Sequence, residues 1–169
     1  DASELNSAAA EAIAAYDELL APSAKLKDSF ARFSRGVDGL ARATERVKAA
    51  IDSVEKNANG FLAEYAKRRE EIKNTELRAA MLMRKESIER QISDLKVELS
   101  ATMAACDSLN RELADLRTFF AANLNAQAVQ GAATVGDTLR RSVENLDKSV
   151  ARVNLELADL ANSLRSEEH

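Results

Sequence analysis

Apolar residues recur along most of this chain at alternating spacings of four and three. From Leu26 the series runs Leu26, Phe30, Phe33, Val37, Leu40, Thr44, Val47, Ile51, Val54, Ala58, Phe61, Tyr65, Arg68 and Ile72, with 12 of 14 positions apolar. A second series runs from Met81 through Ile88, Leu95, Thr102 and Leu109 to Phe120, with ten of 12 apolar. The third, from Leu139 through Leu146 and Val153 to Leu164, is apolar at all eight positions. Together 30 of 34 positions are apolar, where composition alone would place about 16. A seven-residue repeat held this long predicts α-helices under-wound to about 3.5 residues per turn, with a left-handed supercoil and knobs-into-holes packing. A shorter stripe, Leu5, Ala9, Ala12, Tyr16 and Leu19, precedes them.

The reading is an all-α fold, an elongated antiparallel three-helix bundle with coiled-coil packing plus a shorter N-terminal helix. Its predicted helices are 3–20, 23–73, 75–122 and 126–165 in one domain spanning 1–169. Pro22 lacks an N–H and pushes Ala21 out of helical dihedrals, so the chain breaks or kinks there. The short stripe is in phase with the one from Leu26, so both a kink and a full turn fit. The first hairpin turn is expected near Asn74 and Thr75, and the second at Ala121 to Asn125, with Asn125 as N-cap. At about 1.5 Å per residue the three long helices are each roughly 60 to 75 Å. Gly36 and Gly39 lie off the stripes and are expected to weaken their helix without opening its core.

Composition supports few, long elements: the 169 residues include one Pro and five Gly. Aromatic residues make up 4% and Trp is absent, so an aliphatic core is expected. The formal net charge is −4 with 31% charged residues. Basic residues are interleaved with acids, as in Lys67 to Lys73 (KRREEIK), which argues against nucleic acid as a partner. No stretch is apolar enough to span a bilayer, since even the uncharged run from Thr118 to Gly136 contains Asn123, Asn125, Gln127 and Gln130. A single Cys excludes an intramolecular disulfide. Asp1, in place of Met, is read as the start of a processed or truncated chain.

Each candidate for chemistry has a plainer reading. Cys106 falls on the apolar stripe with no basic neighbour one turn away, and is expected to be an inert buried thiol. His169 is the only histidine and the last residue, and reads as a tag remnant or frayed end, so His-based triads and most zinc sites are excluded. Glu70 with Glu71, and Glu167 with Glu168, read as solvated helix faces. Met81, Leu82 and Met83 are expected to pack against the first hairpin turn, with an adaptable partner surface as the alternative. No Gly-rich phosphate loop is present. The expectation is a protein that is not an enzyme, with no catalytic residues, cofactor, metal or small-molecule substrate.

The run from Thr118 to Gly136 carries no charge over 19 residues. Either the N-terminal helix folds over this end and seals it, or the tip binds a partner through Asn123, Asn125 and Gln127, with Phe119 and Phe120 as anchors.

Ile51 to Glu55 (IDSVE), Phe61 to Tyr65 (FLAEY) and above all Asn123 to Val129 (NLNAQAV), following Leu116 and Arg117, resemble a bacterial family known as domain of unknown function 2959. The resemblance runs from about Lys25 onward. Family members have a Gly-rich connection where Pro22 falls, which implies a real break there. They often carry an envelope or lipoprotein-type leader, so the resemblance implies a periplasmic or envelope-associated protein, but no activity. The expected function is therefore a non-enzymatic scaffold or spacer of the cell envelope. Its partners would be another envelope protein or itself, with membrane attachment only through a removed leader or anchor. The alternative is a helical bundle that binds lipid or a membrane surface.

Overall fold

The computed structural model of the protein describes residues 2–22 and 25–165. Among these residues the fold is all-α, with no strand. Its helices are α1 (Ala2–Leu20), α2 (Leu26–Glu71), α3 (Thr75–Ala122), α4 (Ala126–Ala132) and α5 (Gly136–Arg165), with a 3₁₀ turn over Ala133–Val135 between the last two. Local chemistry sets most of the boundaries. Asn74 caps α3 by accepting from the Leu77 N–H at 3.0 Å, and Asn125 caps α4 by accepting from the Ala128 N–H at 2.9 Å. Helix α2 stops at Glu71, and Ile72 is extended (φ −81°, ψ 122°).

The helix expected over 126–165 is interrupted. At the 3₁₀ turn the Gly136 N–H bonds the Ala133 carbonyl, three residues back instead of four. The Ala132 carbonyl, released from the α-helical ladder, accepts the Tyr16 hydroxyl at 2.7 Å. The interruption thus coincides with a tertiary contact from α1.

Cross-helix pairs give the direction of each element. Glu4 meets Arg46 and Glu18 meets Arg32, so α1 runs antiparallel to α2. Asp38 meets Arg117 at 2.5 Å, Lys48 meets Asp107 at 3.3 Å and Glu55 meets Lys96 at 3.7 Å, which sets α3 antiparallel to α2. Ser142 donates to Glu112 and Gln91 donates to Ser163, which sets α5 antiparallel to α3. The break at Pro22 is therefore a full reversal of the chain.

Helix α1 is more deeply built in than an appended element. Leu5, Ala9, Ala12, Tyr16 and Leu19 are all at most 1% exposed. They share one core with Phe33, Leu40, Cys106, Leu113, Phe120, Leu139 and Leu146, so this part of the molecule is a four-helix section of α1, α2, α3 and α5. Burying Leu5, Tyr16 and Leu19 alone supplies roughly 5 to 9 kcal/mol gross, before ordering entropy. Past the N-terminus of α1 the core narrows to Leu95, Leu99 and Val153, with Ile51 and Leu160 packed on it. Val54 and Leu157, both on the apolar stripes, are each 37% exposed in this narrower part.

A second face of α2 receives α1. Ser29 and Ala43 are buried, and Gly36 lies midway between them at the same seven-residue spacing. A Cβ added to Gly36 would come within 3.0 Å of the Ala12 Cα. Gly36 therefore permits the close approach of two helix backbones, which corrects the expectation that it merely weakens α2. Gly39 has open space around its Cα, as expected.

Candidate functional site

The uncharged run from Thr118 to Gly136 covers the end of α3, the turn, α4 and the start of α5. The structure divides it into a covered and an open side. On the covered side, Tyr16 reaches Ala132 and both Ala128 and Ala132 are buried. Where the α1–α2 corner passes α4, a cleft of about 430 Å³ remains, lined by Leu20, Pro22, Leu26, Ala126, Val129 and Ala133.

On the open side the two phenylalanines part. Phe119 is 42% exposed and, with Leu116, Val135 and Leu139, lines a depression rimmed by Glu112 and Asp115. Phe120 is fully buried, edge-on to Phe33 with ring centroids 6.1 Å apart, and Phe33 in turn meets Tyr16 at 6.2 Å. Phe120 is thus a core residue and offers nothing to a partner. One residue of offset turns a helical side chain by about 100°, so two adjacent Phe on α3 cannot share one face.

Asn123, Asn125 and Gln127 are exposed. The Asn123 amide donates to the Phe119 carbonyl at 3.4 Å, beside the 3.0 Å bond from its own N–H to the same carbonyl. The Asn125 carbonyl oxygen is used by the cap on α4. Both asparagines are thereby oriented by backbone, and Leu124 between them packs onto the core. The arrangement presents one aromatic ring, beside the Glu112 and Asp115 carboxylates, and three amides, groups suited to shape and hydrogen-bond recognition.

The other candidates stay structural. Cys106 is buried beside Thr44, and burial first, then the Asp107 charge, pushes its thiol up to about 11. At neutral pH it carries almost no thiolate. The sequence reading missed its neighbour Asn110, whose amide donates to the Thr44 hydroxyl at 2.9 Å while Thr44 donates to the Leu40 carbonyl at 2.9 Å. This is a polar layer between α2 and α3, and the only signal for it was a Thr on an otherwise apolar stripe. Glu70 and Glu71 are exposed. Glu167, Glu168 and His169 lie outside the described residues.

Met81 faces Phe61 and Tyr65, but Leu82 and Met83 are exposed, so the expected packing of all three against the turn does not occur. Among the described residues no three His, Cys, Asp or Glu side chains cluster to hold a metal, and no helix is long and apolar enough to cross a membrane.

A family model described as protein of unknown function (DUF2959) matches residues 2–160, which includes α1 as well as the long helices. No curated protein and no solved structure matches the chain.

Proposed function

Since this chain belongs to the DUF2959 family, whose proteins are of unknown function, we propose that it serves as a non-enzymatic helical spacer or scaffold of the bacterial cell envelope. The observation that carries this reading is the pairing of α2 and α3, which run 46 and 48 residues without interruption and lie antiparallel. Helices of that length extend about 70 Å, and a spacer gains its reach from such elements. With α5 packed along α3, the heptad stripes support a three-helix coiled-coil shaft, thickened to four helices where α1 lies on it. The end at Phe119, Asn123, Asn125 and Gln127 is the point of attachment to a partner, another envelope protein or a second copy.

Small-angle scattering of the full chain tests the spacer. A radius of gyration well above the ~15 to 16 Å of a compact globule of this length is expected. A value at the compact figure overturns it.

A further inference from the structure

One regularity of the sequence has no role in the folded-back chain. Leu5, Ala9, Ala12, Tyr16, Leu19, Ser23, Leu26, Phe30 and Phe33 follow one another at alternating spacings of four and three without a slip. Between α1 and α2 the chain reverses, and each helix of a reversal can turn about its own axis until its apolar face meets the other. A shared phase matters only when the two helices lie end to end. The stripe of α1 then faces the same side as that of α2, and so points at the prolongation of the bundle axis.

An α1 in that position is buried only by a second copy. Two copies set end to end about a twofold axis have their α2 helices running in opposite directions, so an α1 that prolongs its own α2 lies antiparallel to the partner's α2. That is the direction α1 already takes on its own chain. The α1 of each copy then fills the groove its counterpart has left on α2 and α5. It keeps every contact seen in the single chain: Tyr16 to the Ala132 carbonyl at 2.7 Å, Glu4 to Arg46 at 3.1 Å, Glu18 to Arg32 at 3.0 Å, Asp17 to Arg140 at 2.7 Å, and Ala12 against Gly36. Only the connection changes, which is why exchange of an element is a low-cost route to a dimer.

Charge allows the two ends to meet. In a twofold contact each group near the axis faces its own kind, and the run from Thr118 to Gly136 at this end carries no charge over 19 residues. The charged residues at the start of α2, Lys25, Lys27 and Asp28, carry both signs. Pro22 sets the balance between the two forms. It lacks the N–H that a straight helix would bond to the Glu18 carbonyl, so folding back is favoured in dilute solution and exchange at high protein concentration.

We propose that two copies of this chain join end to end by exchanging α1, giving one rod of about twice the reach. The inference rests on the reading of the uncharged end as a point of attachment, and it names a second copy as the partner there.

Mixed cross-linking of the full chain tests it. One variant carries Glu4→Cys and the other Arg46→Cys, both at exposed positions. After joint unfolding and refolding at high concentration, a short bismaleimide should link the two chains, because these positions are neighbours across chains only if α1 of one lies on α2 of the other. Each variant alone should give no linked dimer, and wild-type protein controls for the buried Cys106. Pro22→Ala restores the N–H and should raise the association constant at least about tenfold in light scattering. Thermal melts verify that each variant folds.

The proposal is overturned if the mixed pair gives no linked dimer while Pro22 is present, whether the chains stay monomeric or associate through another surface. It is equally overturned if Pro22→Ala lowers the association constant, or if the dimer has a radius of gyration no larger than the monomer's. A compact radius for the monomer sinks the spacer alone, since the cross-link reads where α1 lies whatever the length of the shaft.

Discussion

Tyr16 donates its hydroxyl to the carbonyl of Ala132 at 2.7 Å, across 116 residues of sequence. The bond ties the end of α1 to the joint between α4 and α5. The acceptor is released because the Gly136 N–H bonds Ala133 in the 3₁₀ turn. Close packing reinforces the joint, since a Cβ on Gly136 would lie 3.6 Å from the Tyr16 ring.

Tyr16→Phe keeps the ring and removes the donor, leaving the Ala132 carbonyl without it. A loss of about 1 to 3 kcal/mol is expected in urea unfolding. Tyr16→Ala should cost more, because the contact with Phe33 and the packing under α1 go with it.

The two glycines of α2 should respond oppositely. Gly39→Ala adds a methyl in open space and gains helix propensity, so stability should rise by roughly 0.5 to 1 kcal/mol. Gly36→Val drives a branched side chain against the backbone of Ala12 and should destabilise by about 2 kcal/mol or more. Thermal melts of the pair check the sign of each.

Asn125→Ala removes the cap on α4 and should cost about 1 kcal/mol. Because the cap serves one short helix, hydrogen exchange should accelerate at the amides of Ala128 to Ala132 first. The α3 amides near Ile88 should keep their protection. Uniform acceleration across both regions would show that α4 does not open separately.

Stability should fall in alkali. In the fold the Cys106 thiol ionises only near 11, whereas a free thiol does so at 9.0. Between those values the unfolded chain has lost a proton that the folded chain keeps, so each pH unit costs about 1 kcal/mol, and below pH 9 the effect vanishes. Burial also raises the Tyr16 hydroxyl, which adds a loss of the same sign above pH 10. Urea unfolding at pH 8, 9 and 10 measures the slope, and Cys106→Ala should flatten it. At pH 8 an aromatic disulfide reagent should label the native protein far more slowly than the unfolded one.

Much of the framework was legible before the structure. The stripes through Phe33, Leu40, Leu95, Leu113, Leu146 and Val150 name buried residues, and Asn74 and Asn125 mark helix starts. These signals are local: a heptad face and an N-cap are properties of ten or so consecutive residues. The candidate site was half legible. The exposure of Phe119, Asn123, Asn125 and Gln127 follows the sequence, but Phe120 falls on the core stripe as well as in the tip, and the stripe prevails, while the Glu112 and Asp115 carboxylates beside Phe119 lie outside the uncharged run.

Sequence by itself determined that there are long helices, which face of each is apolar and where the chain turns, because backbone geometry and hydrophobic period act over a few turns. Only the tertiary structure decided that α1 folds back into the core on the small-residue face at Ser29, Gly36 and Ala43. It also decided that Tyr16 takes the Ala132 carbonyl, and that Val54, on the apolar stripe, is left exposed. Those outcomes depend on which helices lie side by side at each level. An apolar residue is buried only if a partner helix extends to its level, and no local pattern encodes that.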